Sequence, residues 1–232
     1  MVKAVIFDID NTLYDYDRAD AHGRKAVSDY CRNWFDLEDA KTQEFYLEAW
    51  KLAEQRVGTD TAAIHNRMIR FQCMMELLGK PLFPHVQNLY HAYWDAMLAH
   101  MKSYPGVERV FQKLREMQIK IGIGTDMTAY IQYRKLEKLG LSAYIDMIVT
   151  SEEAGVEKPH PDFFRLCVEK AGCAAQEAVF IGDNLKKDVA GAAAGGLHGV
   201  WYSCGKQPDR DMSFPVIHTF ENDRVFMEQL IF

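Results

Sequence analysis

Long apolar runs are missing from this chain of 232 residues. No segment approaches the ~20 consecutive apolar residues of a membrane span, and the short apolar stretch near the start runs straight into acids instead of forming a signal-peptide pattern. Cysteine is sparse and scattered. Cys31, Cys73, Cys167, Cys173 and Cys204 are odd in number and form no C-x-x-C pair, so neither a disulfide framework nor a zinc site is indicated, and the thiols suit a reducing compartment. An excess of basic residues is also absent. The net charge is −6, which argues against a nucleic-acid backbone as partner, since that affinity comes from clustered Lys and Arg; a small phosphorylated molecule needs only a few local cations. There is no G-x-x-x-x-G-K phosphate loop, and Gly122-Ile123-Gly124 is no dinucleotide fingerprint, because Met127 stands where the third glycine belongs. The eight histidines are dispersed and none is assigned to chemistry. What remains, with 48% hydrophobic and 26% charged residues, is an ordinary globular composition. The expectation is a cytoplasmic protein with no membrane and no nucleic-acid polymer among its partners, its oligomeric state open between monomer and homodimer.

The most informative residues present are at the beginning. The apolar run Ala4-Val5-Ile6-Phe7 ends in Asp8-Ile9-Asp10-Asn11-Thr12. It is too short and too continuously apolar for an amphipathic helix and reads as a buried parallel strand. Residues i and i+2 of an extended segment point the same way, so Asp8 and Asp10 would project together from the strand's carboxyl end. Two carboxylates that close repel unless a cation or a shared proton intervenes. A calcium loop starting at Asp8 would need Gly and Glu where Leu13 and Ala19 stand. A plain turn with Asn11 in a left-handed conformation is the simpler alternative for this segment alone.

From about residue 17 to 101 the texture is helical. Phe45, Leu47, Trp50 and Ala53, then Met68, Phe71, Met75 and Leu78, recur at helical spacing, with breaks at Gly58-Thr59-Asp60 and Gly79-Lys80-Pro81. About four packed helices are expected, with the Met and aromatic stripes as core and packing as the main role of Trp50, Arg67, Arg70 and Trp94. After Pro105-Gly106 helices and strands alternate. Helices are expected near 107–117, 129–139 and 162–171, with a short one ending at Gly195-Gly196, and strands at 119–124, 147–150, 178–181 and 199–202. That alternation specifies a parallel sheet with helices on both faces. The helical insert, which separates the first strand from the rest, is expected over the sheet's carboxyl edge like a lid.

Chemistry gathers at the strand ends, all on one edge of such a sheet. Asp8 and Asp10 follow the first strand, Thr125 the second, Lys158 stands between a turn and Pro159, and Gly182-Asp183 ends another strand with Asp188 five residues on. Acids, one hydroxyl and one lysine suit a hard cation such as Mg²⁺, which would offset repulsion between Asp8, Asp10 and Asp183 and neutralise a bound phosphate. Asp8 can then attack phosphorus and form an aspartyl-phosphate. Asp10 is placed to protonate the leaving alcohol and later to take a proton from water, while Thr125 and Lys158 would bind phosphate oxygens. Each residue has a plainer reading: Lys158 as a turn lysine before a helix started by Pro159 and Pro161, Thr125 as a helix cap, Gly182-Asp183 as a strand-to-helix turn.

Taken in order, Asp8-Ile9-Asp10-Asn11-Thr12-Leu13, Thr125, Lys158-Pro159 and Gly182-Asp183-Asn184-Leu185-Lys186-Lys187-Asp188 resemble the four motifs of phosphatases in the haloacid dehalogenase superfamily. The insert resembles the helical cap of the family's first subfamily. The resemblance implies an α/β, Rossmann-like core over residues 1–16 and 102–232 and a cap over 17–101. It implies Asp8 as nucleophile, Asp10 as acid/base, and Mg²⁺ held by the Asp8 carboxylate, the Asp10 backbone carbonyl and Asp183. Asn11, Thr125, Asp126 and Lys158 would meet substrate, with Thr12 and Asp188 in support, Asp188 through Lys158 or a metal-bound water. Asp10 argues for phosphate esters over haloacids, because the family's dehalogenases lack that second aspartate. Asp126 departs from the Asn of many relatives, and its carboxylate would oppose an anion unless turned away. The implied substrate is a small phosphomonoester, a nucleoside monophosphate first or a sugar phosphate. Two alternatives stay open: a phosphosugar mutase, which the motifs cannot separate from a hydrolase, and a catalytically silent protein that binds a phosphorylated ligand.

Overall fold

Strand β1 (Ala4–Phe7) is buried along its whole length, and its residues divide between two covered faces. The structure, a computed structural model, describes residues 1–205 and 213–230. Contacts divide the chain into two compact units, Met1–Asp15 with Lys102–Phe232, and Tyr16–Met101.

The second unit consists of helices α1 (Tyr16–Phe35), α2 (Asp39–Val57), α3 (Arg67–Leu77) and α4 (His85–Ala99), with α1 packed on α4 and α2 on α3. Gly58 at φ 81° and Gly79 at φ 59° follow α2 and α3, where left-handed backbone ends a helix at little strain in glycine. A break that no glycine announces falls at Asp36, also left-handed at φ 52°. The packed stripe of α2 differs from the expected one: Thr42, Tyr46, Ala49 and Ala53 are buried, whereas Leu47 and Trp50 are 50% and 40% exposed. In α3, Phe71 and Met75 are buried as expected, and Arg67 and Arg70 join them, lying over the rings of Tyr93 and Trp94 and of Tyr46 and Trp50 respectively.

In the first unit β1 is followed, beyond the helical segment, by α5 (Val107–Glu116), β2 (Lys120–Thr125), α6 (Ala129–Lys138), β3 (Met147–Thr150), α7 (Ser151–Ala154), α8 (Pro161–Ala171), β4 (Ala178–Gly182), α9 (Gly191–Ala194), β5 (His198–Tyr202), β6 (Val216–Ile217) and α10 (Asp223–Glu228). A π-helical turn over Leu185–Ala190 leads into α9. The six strands run in the order β3-β2-β1-β4-β5-β6, every pair parallel. Ala4 and Ile6 face a core with Phe163, Phe164, Cys167 and Phe180. Phe7 faces the other way, its ring 4.9 Å from Phe111 and 6.3 Å from Phe226. The sheet is thus covered on both sides, which is why its strands carry unbroken apolar runs. The two-residue β6 goes beyond the five strands read from the sequence.

The register aligns the strand ends that matter. Phe7 stands beside Ile123 of β2 and Ile181 of β4, so Asp8 emerges level with Gly124 and Gly182. In this arrangement the order in which successive strands are added reverses between β1 and β4, the place where open α/β sheets leave a crevice at the carboxyl ends of their strands.

Candidate active site

The turn after β1 is built around Asn11, whose backbone is left-handed at φ 58°. The N–H groups of Thr12 and Leu13 both donate to Ile9 O, at 3.2 and 2.9 Å. The turn-only reading is therefore correct as geometry, and the same turn carries the acids. Asp8 is buried and its N–H donates to Ile181 O at 2.9 Å. The Thr12 hydroxyl accepts from Asp183 N at 3.1 Å, which fastens the β1 turn to the end of β4.

Lys158 reaches this point from the loop before α8. Its buried ammonium donates to Asp8 Oδ1 at 2.8 Å, Asp188 Oδ1 at 2.8 Å and Gly124 O at 3.2 Å, so its three donors meet three acceptors. Pro161 stands at the first turn of α8, where the side chain of His160 caps the helix; Lys158 is no exposed turn residue. Asp188 sits in the π-helical turn, and its Oδ2 accepts from Asn184 N at 2.9 Å. The bond from Val189 N to Asn184 O, at 3.3 Å, spans five residues and widens that turn, a distortion frequent at functional sites.

Ligand oxygens of Asp8, Asp183 and Asp188 all lie within 4.8 Å of one another. Burial pushes the Asp8 carboxyl up to about 8, with Lys158 opposing and Asp188, Asp10 and Asp183 adding to the rise. Burial likewise works against the Lys158 ammonium, but Asp188, Asp8 and Asp126 outweigh it and hold the group charged, well above its ordinary range. Three clustered carboxylates against one ammonium leave an excess of negative charge. An all-carboxylate donor set of that kind fits a hard divalent cation.

The other candidates divide. Thr125 is buried, and its hydroxyl accepts from Gln132 Nε2 at 2.6 Å and donates to Asp126 O at 3.3 Å; Thr128, not Thr125, is the residue at the N-terminus of α6. The carboxylate of Asp126, expected near the phosphate, is turned to two other partners. Its Oδ1 accepts from Lys158 N at 3.0 Å and its Oδ2 from Lys187 Nζ at 2.9 Å, so the carboxylate holds the Lys158 loop. Burial raises its pKa, and Lys158 and Lys187 more than reverse that, leaving it lowered. Lys187 also donates to Glu157 Oε2 at 3.2 Å. The side chain of Asp10 is bound by Lys135, to both oxygens at 2.7 and 2.8 Å, and by Tyr14 OH at 2.5 Å. The carboxylate that joins Asp8 and Asp183 in the acidic cluster is that of Asp188; the ligand expected from Asp10 is its backbone carbonyl, which these side-chain bonds do not involve.

Gln132, Lys135, Tyr14 and Lys187 escaped the sequence reading. A signal existed for the first two: they fall on the face of α6 marked by Ile131, Leu136 and Leu139, where a polar residue has to be buried.

The sequence model of the haloacid dehalogenase-like hydrolases matches residues 2–196. The chain belongs to this family. This hydrolase is 37% identical over 211 residues to a ribulose-1,5-bisphosphate 5-phosphatase of Halopiger xanaduensis, covering 90% of this chain and 88% of that one. It is 34% identical over 213 residues to a glyceraldehyde 3-phosphate phosphatase of Methanopyrus kandleri, covering 91% and 88%. These relatives are phosphoric monoester hydrolases, and the chain is an enzyme of their family. In fold it is similar to a 2-haloacid dehalogenase of Pseudomonas syringae, with a TM-score of 0.81 at 20% identity and complete coverage of both chains; at that identity the likeness concerns the fold alone. Among the described residues no helix is long and apolar enough to cross a membrane.

Proposed function

We propose that this hydrolase is a Mg²⁺-dependent phosphatase of small phosphomonoesters that works through an aspartyl-phosphate on Asp8. The observation that carries the reading is the ammonium of Lys158 bridging Asp8 and Asp188, each at 2.8 Å, beside Asp183 at the reversal point of the sheet. A nucleophilic carboxylate has to approach a phosphate that repels it, and a fixed ammonium in contact with that carboxylate supplies the positive charge the transferring group needs. Asp8, Asp183 and Asp188 would hold the cation, which when bound neutralises charge on the phosphoryl oxygens.

In the first half-reaction an oxygen of Asp8 forms a bond to phosphorus while the bond to the ester oxygen breaks, and that oxygen takes a proton from the Asp10 carboxyl. In the second, a water oxygen attacks the same phosphorus, its proton returns to Asp10, the acyl-phosphate bond breaks, and inorganic phosphate leaves with Asp8 restored. Lys158 stays charged throughout and contacts the phosphoryl oxygens. Thr125, fixed by Gln132, lines the phosphate site, and Asp126 and Lys187 keep Lys158 in place.

The two curated relatives act on ribulose-1,5-bisphosphate and glyceraldehyde 3-phosphate, which favours phosphorylated sugars over nucleoside monophosphates as the substrate class. Phosphate release from a panel of both classes with Mg²⁺ tests the reading. Sugar phosphates are expected to be hydrolysed fastest, and Asp8→Asn to reduce release to background while the far-UV spectrum and thermal midpoint stay close to wild type. No release from any ester, or activity retained in Asp8→Asn, would overturn it. A product in which phosphate has moved to another position of a hexose, without free phosphate, would identify a mutase instead.

A further inference from the structure

Lys135 is held where a helix would ordinarily place a leucine. It lies on α6 between the buried Ile131 and Leu136, and its side chain is 0% exposed. Its ammonium donates to Asp10 Oδ1 at 2.7 Å and Oδ2 at 2.8 Å, and Tyr14 OH donates to the same Oδ1 at 2.5 Å. Met127 Sδ, at 3.7 Å, and the face of the Tyr14 ring, 5.9 Å from Nζ to its centroid, lie around the ammonium. Asp10 keeps 26% of its side chain exposed. The carboxylate is therefore gripped from the protein side and open on another.

Burying an ammonium strips it of water, and an apolar side chain of similar volume would pack at this position without that penalty. What Lys135 does that Leu or Met cannot is fix a carboxylate. An aspartate side chain left to itself rotates about two torsions; bonds to both of its oxygens remove that freedom. A proton donor has to be within hydrogen-bond reach of the oxygen it serves, and a displacement of about 1 Å can lower a rate by roughly 10²-fold.

We propose that Lys135, together with Tyr14, is a positioning residue that holds the Asp10 carboxyl in the orientation from which it exchanges a proton with the leaving oxygen. The inference rests on the reading of Asp10 as acid/base given above. It has a consequence that a packing role lacks. Proton delivery matters for a basic alkoxide leaving group and hardly at all for p-nitrophenolate, which leaves without help. Loss of the clamp should therefore separate the two substrate types.

The test compares wild type, Lys135→Met, Lys135→Arg and Tyr14→Phe with Mg²⁺ on a sugar phosphate and on p-nitrophenyl phosphate, with thermal midpoints recorded for each. In Lys135→Met, the single-turnover rate of leaving-group release, which reports the first half-reaction alone, is expected to fall about 10²-fold for the sugar ester and less than about fivefold for the aryl ester, while hydrolysis of the aspartyl-phosphate, which Asp10 also serves, slows equally for both. Lys135→Arg should recover part of the loss, and Tyr14→Phe should show a smaller loss with the same substrate pattern. Equal losses in that first-step rate on both esters, or none, would overturn the proposal. Should Lys135→Met not fold, the substrate pattern of Tyr14→Phe and Lys135→Arg decides in the same way. An active wild type with equal variant losses removes only the role of Lys135, whereas a wild type inactive on both esters removes the phosphatase reading and this inference with it.

Discussion

Gly182 is a residue whose missing side chain makes room for a charged one. A Cβ built there would lie 2.3 Å from both Cγ and Oδ2 of Asp188 and 2.5 Å from its Cβ, closer than any atoms pack, so Gly182→Ala has to displace the carboxylate that Lys158 touches. The expected outcome is a loss of at least about tenfold in phosphate release and of about 1–3 kcal/mol in stability from overpacking, read by steady-state assay and urea unfolding. Unchanged activity would mean that Asp188 can move without consequence. Asp8, Asp183 and Asp188 could be singled out in the sequence because each stands at or a few residues beyond the end of an apolar run, and Lys158 because it is set between a turn and Pro159; the structure brings all four together. Lys135 is harder to single out, since a lysine on a helix reads by default as solvated, and only its place on the α6 face shared with Ile131, Leu136 and Leu139 marks it as buried. The task of Asp126 was equally hidden, because it depends on Lys187, a partner far along the chain that no local spacing encodes.

At the scale of elements, the helices and strands read from the sequence in the α/β unit lie within a residue or two of the observed ones, because doubly buried strands announce themselves as short continuous apolar runs, whereas the short helices α7 and α10 carry no such pattern. Strand β6 has two residues and leaves too short a signal. Helix α2 shows a subtler failure. Counting large apolar residues selects Phe45, Leu47 and Trp50, but the packed face is Thr42, Tyr46, Ala49 and Ala53. Close helix packing prefers small residues, and a tyrosine can be buried when its hydroxyl is bonded, here by Arg70 Nη1 at 3.0 Å. Two adjacent alanine substitutions separate these registers. Tyr46→Ala is expected to cost about 3 kcal/mol or more, in the range of aromatic truncations in a core, and Leu47→Ala to stay within about 0.5 kcal/mol of wild type. Chemical denaturation followed by circular dichroism measures both; equal losses would return Leu47 to the packed face.

At the scale of the whole molecule, charge is the property that ties the sheet's topology to its proposed chemistry. The chain carries 33 acidic against 27 basic side chains, and the fold gathers Asp8, Asp183 and Asp188 from β1, the end of β4 and the π-helical turn against the single ammonium of Lys158. Burial first, and the neighbouring carboxylates after it, raise the pKa of Asp8, so holding these acids ionised opposes folding, and a divalent cation that binds only the folded arrangement must stabilise it by mass action. At a concentration one hundred times its dissociation constant the gain is about 2.7 kcal/mol, which for a chain of this length corresponds to a rise of about 5–10 °C in the thermal midpoint. Differential scanning fluorimetry in Mg²⁺ and in NaCl of matched ionic strength measures it. The rise should occur with Mg²⁺ only, disappear on addition of EDTA, and be largely lost in Asp183→Asn while persisting in Asp60→Asn, where an exposed acid of the helical unit is neutralised. The Asp60 variant matters because it removes the same formal charge from the molecule. If both variants keep the rise, the cation is responding to net charge, and the cluster of Asp8, Asp183 and Asp188 is not its site.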